Sequence, residues 1–307
     1  MMDREILTTT SEEFRAWSHE RVRSVIGDKA LILSPGGSSR WYFMEHGNPQ
    51  DGYLNAEEFS RYSKITLEVV LNIAQMMFMD GVNTVYSIAF TPQFDKRDDK
   101  YLKMMAYGLT LMASPEILEI YQKYDMKVSF RGTWETALAH YGSTSVYNQF
   151  TDITSRTQNN TGGHLVWCIQ DKPIPDSLIP VVQRSLNETH QMPEHETLAR
   201  AYYGSDFIQP DIFIGNNKPS IGGQLPPFLM PSDLYFTVSP TLYLNQNSWR
   251  DILHDHLFAR RVAYRDYQEM NPSAFDELRN FYREHRMDIM GVGKFDNVTQ
   301  TWRSTLL

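Results

Sequence analysis

The segment Pro35-Gly36-Gly37-Ser38-Ser39-Arg40-Trp41 collects the residue types that hold an oxyanion. Glycines let backbone amides approach an anion closely, the Ser38 and Ser39 hydroxyls donate, and the Arg40 guanidinium forks onto phosphate oxygens. The chemistry this favours is the binding of a phosphorylated group. The spacing matches neither a Walker loop nor a dinucleotide fingerprint, and taken alone it suits an ordinary Gly/Ser turn better than an anion site.

Cys168, the one cysteine, lies in the apolar run Leu165-Val166-Trp167-Cys168-Ile169, which predicts a buried strand thiol rather than a nucleophile and excludes an intrachain disulfide. In His254-Asp255-His256 the two imidazoles are two residues apart, so on a helix they face different ways and predict a surface pair rather than a metal site. Asn187-Glu188-Thr189-His190 is similar to a metal motif of class I terpene synthases. Those are all-helical proteins with a second, aspartate-rich segment, so here the motif is expected to be a helix end that shapes a pocket. No Gly-x-Ser-x-Gly elbow is present, and a serine hydrolase has no support.

The elements that must position these groups alternate between apolar runs and helical periods, which predicts a parallel sheet flanked by helices. Strands are expected at Ala30–Leu33, Thr84–Phe90, Lys127–Phe130, His164–Gln170, Asp211–Ile214 and Leu234–Val238. A helix should start near Asn55, with Glu58 completing a capping box, and should bury a face through Ile65, Val69, Ile73 and Met76 before stopping at Gly81. Helices are also expected over Asp99–Met112, from Ser114-Pro115, over Asp176–His190, Glu194–Tyr203 and Ser248–Tyr267. Tyr141–Gly163 is rich in Ser, Thr and Asn and reads as loop or lid, and Gly215–Pro231 as a Gly/Pro-rich loop.

The 307 residues show no internal repeat or linker, so 1–307 reads as one domain, with 1–25 an N-terminal extension and 268–307 a C-terminal helix and tail. A net charge of −8 argues against nucleic acid as partner. There is no signal-like start and no stretch of the roughly 20 apolar residues a bilayer requires, so a cytoplasmic protein with at most peripheral membrane contact is expected.

The order of blocks carries a resemblance. The strand followed by Gly37-Ser38-Ser39-Arg40-Trp41 resembles the Asp-Gly-Asn-Gly-Arg-Trp signature of cis-prenyltransferases. Gly81-Val82-Asn83-Thr84-Val85 with Ala89-Phe90-Thr91, then Asp211-Ile212-Phe213-Ile214 and Asp233-Leu234-Tyr235-Phe236-Thr237, are similar to later strand blocks of that superfamily in the same order. A narrower set resembles its tuberculosinol synthase branch: Arg40-Trp41, Asn48-Pro49-Gln50 with Tyr53, Arg97 with Asp99 and Tyr101, Asn187 to His190, Tyr202-Tyr203-Gly204, Leu234 to Val238, His254 to His256, and Gly291-Val292-Gly293.

The resemblance implies a single-domain cis-prenyltransferase-like α/β fold with a mostly parallel sheet. It implies a homodimer that ionises a preformed allylic, diterpenyl diphosphate and passes the cation to water or to a nitrogen or aromatic acceptor. Ionisation needs charge stabilisation at the leaving group and a dry pocket around the cation. Gly36, Gly37, Ser38, Ser39, Arg40 and Arg97, with Lys100 nearby, are the diphosphate candidates. Trp41, Phe90 and Tyr235 are candidates for the prenyl and cation pocket, with Tyr42, Phe43, Tyr53 and Tyr101 also near the right loops, although core is the expected place of Phe43 and Phe90. Tyr53, Arg40 and Tyr101 are the catalytic candidates.

Two departures bear on the chemistry. Gly36 stands where the superfamily places an aspartate associated with Mg²⁺ and diphosphate, so the implied metal role is vacant or passes to a carboxylate such as Asp99 or Glu45, with Asp95 and Asp98 further candidates. Between Asp211 and Asp233 there is no arginine, whereas chain-elongating members use two there for isopentenyl diphosphate; Lys218 alone does not reproduce two guanidinium forks. Elongation is therefore not expected. The loss of the aspartate also motivates an alternative, a non-catalytic partner subunit or a prenyl-diphosphate-binding protein.

Overall fold

A computed structural model describes residues 9–47, 56–91, 105, 107–140, 146–170, 174–220, 232–260, 271–299 and 301–305. Its elements run α1 (Ser11–Arg15), α2 (His19–Ile26), β1 (Ala30–Leu33), α3 (Ser38–His46), α4 (Ala56–Met79), β2 (Thr84–Phe90), α5 (Pro115–Lys123) and β3 (Met126–Gly132). They continue α6 (Trp134–His140), α7 (Tyr147–Thr157), β4 (Gly163–Ile169), α8 (Ile174–Thr189), α9 (His195–Tyr203), β5 (Ile212–Asn216), β6 (Asp233–Thr237), α10 (Gln246–His254) and α11 (Pro272–Glu284). An antiparallel hairpin, β7 (Gly293–Asp296) with β8 (Thr301–Ser304), lies near the C-terminus.

Six parallel strands form one sheet in the order β3-β4-β2-β1-β5-β6. Alternation along the central strands divides the core. Leu31, Leu33, Val85, Leu165 and Trp167 face a large cluster under α4, α5, α7 and α10, while Ala30, Ile32, Tyr86, Val166 and Cys168 face a smaller one under α9. All strand carboxyl ends therefore open on one edge, where open α/β sheets hold ligands.

Ser114 caps α5 through its hydroxyl, with Pro115 in the first turn, as the sequence predicts. Asn55 lies outside the described residues. The buried arc of α4 runs through Leu67, Val70, Leu71, Ile73, Ala74 and Met77, with Val69 and Met76 packed on the same cluster, and Ile65 and Val69 also pack against the cluster of Trp41 and Tyr42. Tyr141–Gly163 corrects the loop reading: α7 occupies its centre. Phe150, Ile153 and Thr157 are buried at helical spacing, and Phe150 stacks on Phe130 at 3.9 Å, so the polar residues are only the outer face. The long helix expected through Tyr267 leaves α-geometry at Asp255, where a π-turn, Asp255–Ala259, takes over.

The N-terminal residues join the core. Phe14, Trp17, Val22 and Ile26 are buried in the large cluster. Asp80, just beyond α4, is wholly buried and binds several partners at once. Arg250 Nη2 donates to its Oδ1 at 2.8 Å, and Gln246 Nε2 and Trp249 Nε1 donate to Oδ2 at 2.7 and 3.1 Å. His19 Nδ1 lies 2.6 Å from Oδ1, and Arg250 Nη1 also reaches the Arg15 carbonyl at 3.0 Å. Among the described residues no helix is long and apolar enough to cross a membrane.

Removing one partner of a buried ion pair strands the other charge in a low dielectric. Asp80→Ala should therefore lose about 3–5 kcal/mol of stability in urea unfolding, and a loss below about 1 kcal/mol would show that Arg250 finds water instead.

Candidate active site

The β1 ladder extends one residue beyond the strand, because Ser34 N donates to Ile214 O at 2.9 Å. The chain then turns: Gly36 N donates to Ser34 O at 2.7 Å, and buried Thr241 ties the turn down from above, its N to Gly36 O at 3.1 Å and its Oγ1 to Ser34 O at 3.1 Å. Gly37 sits in the left-handed region at φ 73°, ψ 16°, and is the N-cap of α3 without a capping side chain. Trp41 N closes the first helical turn on Gly37 O at 3.0 Å. The amides of Ser38, Ser39 and Arg40 have no acceptor among the described residues, and Arg40 has no ion-pair partner there. Three free N–H groups, a helix N-terminus and a guanidinium thus converge.

What holds α3 in this attitude lies on its inner side. Trp41 and Tyr42 are buried against Phe59 and Leu242, and the Tyr42 ring meets Tyr62 edge-on at 5.3 Å. The hydroxyls of Ser38 and Tyr62 share a hydrogen bond at 2.7 Å, which joins the turn to α4.

This turn forms the mouth of a cleft of about 540 Å³, within the range of small-molecule sites. Ser34 to Arg40 line its polar end; inward, Leu67, Val70, Leu109, Met112 and Trp167 make an apolar bore. Ser63, Thr66 and Thr91 add hydroxyls to the walls. Thr66 Oγ1 is satisfied by Tyr62 O at 2.7 Å, whereas buried Thr91 Oγ1 has no partner among the described residues. Trp167 Nε1 donates to the buried Tyr121 hydroxyl at 3.0 Å, which fixes the ring that borders the bore.

Of the residues singled out by sequence, Gly36, Gly37, Ser38, Ser39 and Arg40 come together at the cleft mouth. Trp41 does not line the cleft; its ring packs beneath α3 beside His46 and Tyr243. Phe90 is wholly buried in the large core cluster, and Phe43 packs against the Trp41 cluster. Tyr235 is also elsewhere: its hydroxyl donates to Asp255 Oδ2 at 2.7 Å and Arg260 lies over its ring at 4.4 Å. Burial, and then the Asp255 carboxylate, push that phenol well above the usual tyrosine range. Tyr53, Arg97, Tyr101, Asp99, Asp95, Asp98 and Lys100 lie outside the described residues.

Glu45 is exposed, and its carboxylate accepts from the Tyr243 hydroxyl. No group of three His, Cys, Asp or Glu that would hold a metal occurs among the described residues. At the mouth itself the donors are amides, hydroxyls and a guanidinium, a set that suits an anion and does not fit a hard cation. His254 reaches the Thr9 carbonyl and His256 reaches Asp233, each at a different face. Asn187 to His190 end α8 in solvent rather than shaping the cleft. Burial pushes the Cys168 thiol up to about 12, so it is inert as a nucleophile.

Tyr62, Ser63, Thr66, Thr91 and Trp167 are wall residues that sequence reasoning did not find. A signal existed for two of them: Ser63 and Thr66 are polar yet fall on the arc of α4 shared with Phe59, Leu67 and Val70.

The chain is similar to the tuberculosinyl adenosine transferase of Mycobacterium tuberculosis, 30% identical over 277 residues that cover 87% of this chain and 88% of that one. It is also similar to the (+)-kolavelool synthase of Herpetosiphon aurantiacus, 23% identical over 298 residues, or 94% and 93% of the two chains. Among solved structures, the lavandulyl diphosphate synthase of Lavandula x intermedia in complex with dimethylallyl diphosphate superposes with a TM-score of 0.59 at 13% identity, covering 80% of this chain and 99% of that one. A probable undecaprenyl diphosphate synthase of Campylobacter jejuni gives 0.55 at 15% identity, covering 76% and 96%. No protein-family profile matches the chain.

A side chain at position 37 would carry the left-handed penalty and stand 3.2 Å from Pro240. Gly37→Ala should cost about 1–2 kcal/mol in urea unfolding; unchanged stability would mean that the turn is not left-handed in solution.

Proposed function

Because the chain belongs to the tuberculosinyl adenosine transferase family, within the cis-prenyltransferase-like superfamily, we propose that it ionises a preformed allylic diterpenyl diphosphate in this cleft. The observation that carries the reading is one cavity in which free amides and Arg40 at the mouth meet an apolar bore. The diphosphate lies on the amides of Ser38 to Arg40 and on the Arg40 guanidinium, and the hydrocarbon extends along Leu67, Val70, Leu109 and Met112.

Cleavage of the allylic C–O bond leaves its electron pair on the departing diphosphate. Donors already aimed at those oxygens stabilise the developing charge without reorganising. The apolar bore keeps bulk water from the carbocation, and the Trp167 ring offers it a π face. Capture by water gives an alcohol, and capture by a nitrogen heterocycle or an aromatic ring gives an adduct; Tyr53 and Tyr101 are the candidates for handling the proton released. Mg²⁺, where bound, would neutralise diphosphate charge, with Asp99 as the candidate carboxylate. Elongation with isopentenyl diphosphate has no support, because Gly215 to Ser220 offers one lysine and no arginine.

The reading predicts release of diphosphate and formation of a terpene alcohol or adduct from geranylgeranyl or bicyclic diterpenyl diphosphate, assayed with and without adenosine. Arg40→Ala should lower kcat/KM about a hundredfold or more with an unchanged melting temperature. Folded wild-type protein that turns over no allylic diphosphate would overturn the reading in favour of a partner subunit or a binding protein.

A homodimer is the assembly this reading favours. Helix α11 buries none of its residues, and Phe281, Tyr282, Met287, Met290 and Val298 are exposed on the C-terminal arm, Met290 at 91%. An isolated two-stranded hairpin is marginal in water and needs a partner surface. Light scattering should give twice the chain mass, and a monomer across the accessible concentration range would reject the dimer.

A further inference from the structure

The space that a side chain at position 36 would fill is already taken. A Cβ built on Gly36 would overlap Asn216 Oδ1 and lie 2.7 Å from its Cγ, and one built on Gly37 would lie 2.9 Å from Asn216 Nδ2. Asn216 ends β5, and its register explains the meeting. β1 and β5 pair Leu33 with Ile214, the Ser34–Ile214 bond carries the ladder on, and two residues further Asn216 arrives beside the turn. The Nδ2 of Asn216 is buried with no hydrogen-bond partner among the described residues. A buried amide donor left unpaired is costly, so it calls for an acceptor that the described residues do not supply. Thr91, a cleft-lining residue only 4% exposed, likewise has a hydroxyl with no partner among the described residues. Asn216 thus packs against the Gly36-Gly37 turn that lines the cleft mouth, while Thr91 lines the cleft itself.

We propose that Asn216 is a diphosphate-binding residue, its carboxamide occupying the place of the missing side chain at position 36 and donating Nδ2–H to a diphosphate oxygen. The inference rests on the reading of the cleft as a diphosphate site. At this point of the cradle the group facing the anion is a neutral donor rather than a carboxylate. A carboxylate there would repel diphosphate unless a cation stood between them; a carboxamide binds the oxygen directly. Position 36 and Asn216 compete for one volume, so a side chain at 36 is accommodated only when Asn216 swings away or is shortened.

The test is calorimetric binding of inorganic diphosphate, in EDTA and in excess MgCl₂, to wild type, Asn216→Ala, Asn216→Asp, Gly36→Asp and the double variant Gly36→Asp with Asn216→Ala. Asn216→Ala should weaken binding about tenfold in both conditions, the worth of one hydrogen bond to a charged acceptor. Asn216→Asp has the same shape, so misfolding does not mimic its effect. It should lose more than Asn216→Ala in EDTA and regain much of that with Mg²⁺, a metal response larger than that of wild type. Gly36→Asp should bind poorly, and shortening Asn216 in the double variant should restore Mg²⁺-supported binding. Wild-type binding with Asn216→Ala and Asn216→Asp indistinguishable from it in both conditions would overturn the assignment and leave the cleft reading standing. Absence of diphosphate binding by wild type, together with no turnover of diterpenyl diphosphates, would overturn the cleft reading and the assignment with it.

Discussion

The pairing of β1 with β5 is the constraint on which the site depends. Leu33 opposite Ile214, followed by the Ser34–Ile214 hydrogen bond, sets where both strands stop. One stops in the Gly36-Gly37 turn and the other in Asn216, and parallel pairing brings both ends to the same edge of the sheet. A slip of one residue in that register would invert every side chain of β5 and remove Asn216 from the turn. Burial on both faces, with Ile212 and Ile214 to one side and Phe213 to the other, makes such a slip prohibitive.

A turn that exposes amides is useful only if its helix cannot rotate to cover them. Here the polar mouth and the apolar anchor belong to successive residues of one helix: Ser38 to Arg40 face the cleft while Trp41 and Tyr42 are buried behind. Helix α4 completes the arrangement. Its first half supplies Tyr62, Ser63 and Thr66 to the cleft, and the Asp80 cluster immediately beyond its far end clamps it to α2 and α10. Rigidity at the bore is thus supported from a buried charge network some five helical turns away along α4, across packed layers in which small displacements are resisted.

The pocket aromatics show where pattern reading reaches its limit. Trp41, Phe90 and Tyr235 are near the right loops in the chain, yet none lines the cleft, whereas Trp167 does. Proximity along the chain ranks candidates by sequence distance, and parallel sheets join strands far apart in sequence: Trp167 on β4 pairs with Ser87 on β2. The misread centre of 141–163 has a related cause. A helix with a narrow apolar stripe of Phe150, Ile153 and Thr157 looks polar in composition, and its stripe is recognisable only once β3 is there to receive Phe150.

By itself the sequence determined the alternation of strands and helices, the Gly36-Gly37 turn after β1 and the absence of arginines after β5, because these follow from local propensity, residue chemistry and spacing. Which residues share the cleft was decided only by the tertiary structure. Asn216 is about 180 residues from Gly36 in the chain and nothing in its neighbours marks it. Its role arises from two strand ends brought into register by hydrogen bonds and burial, an interaction between distant segments that no local pattern encodes.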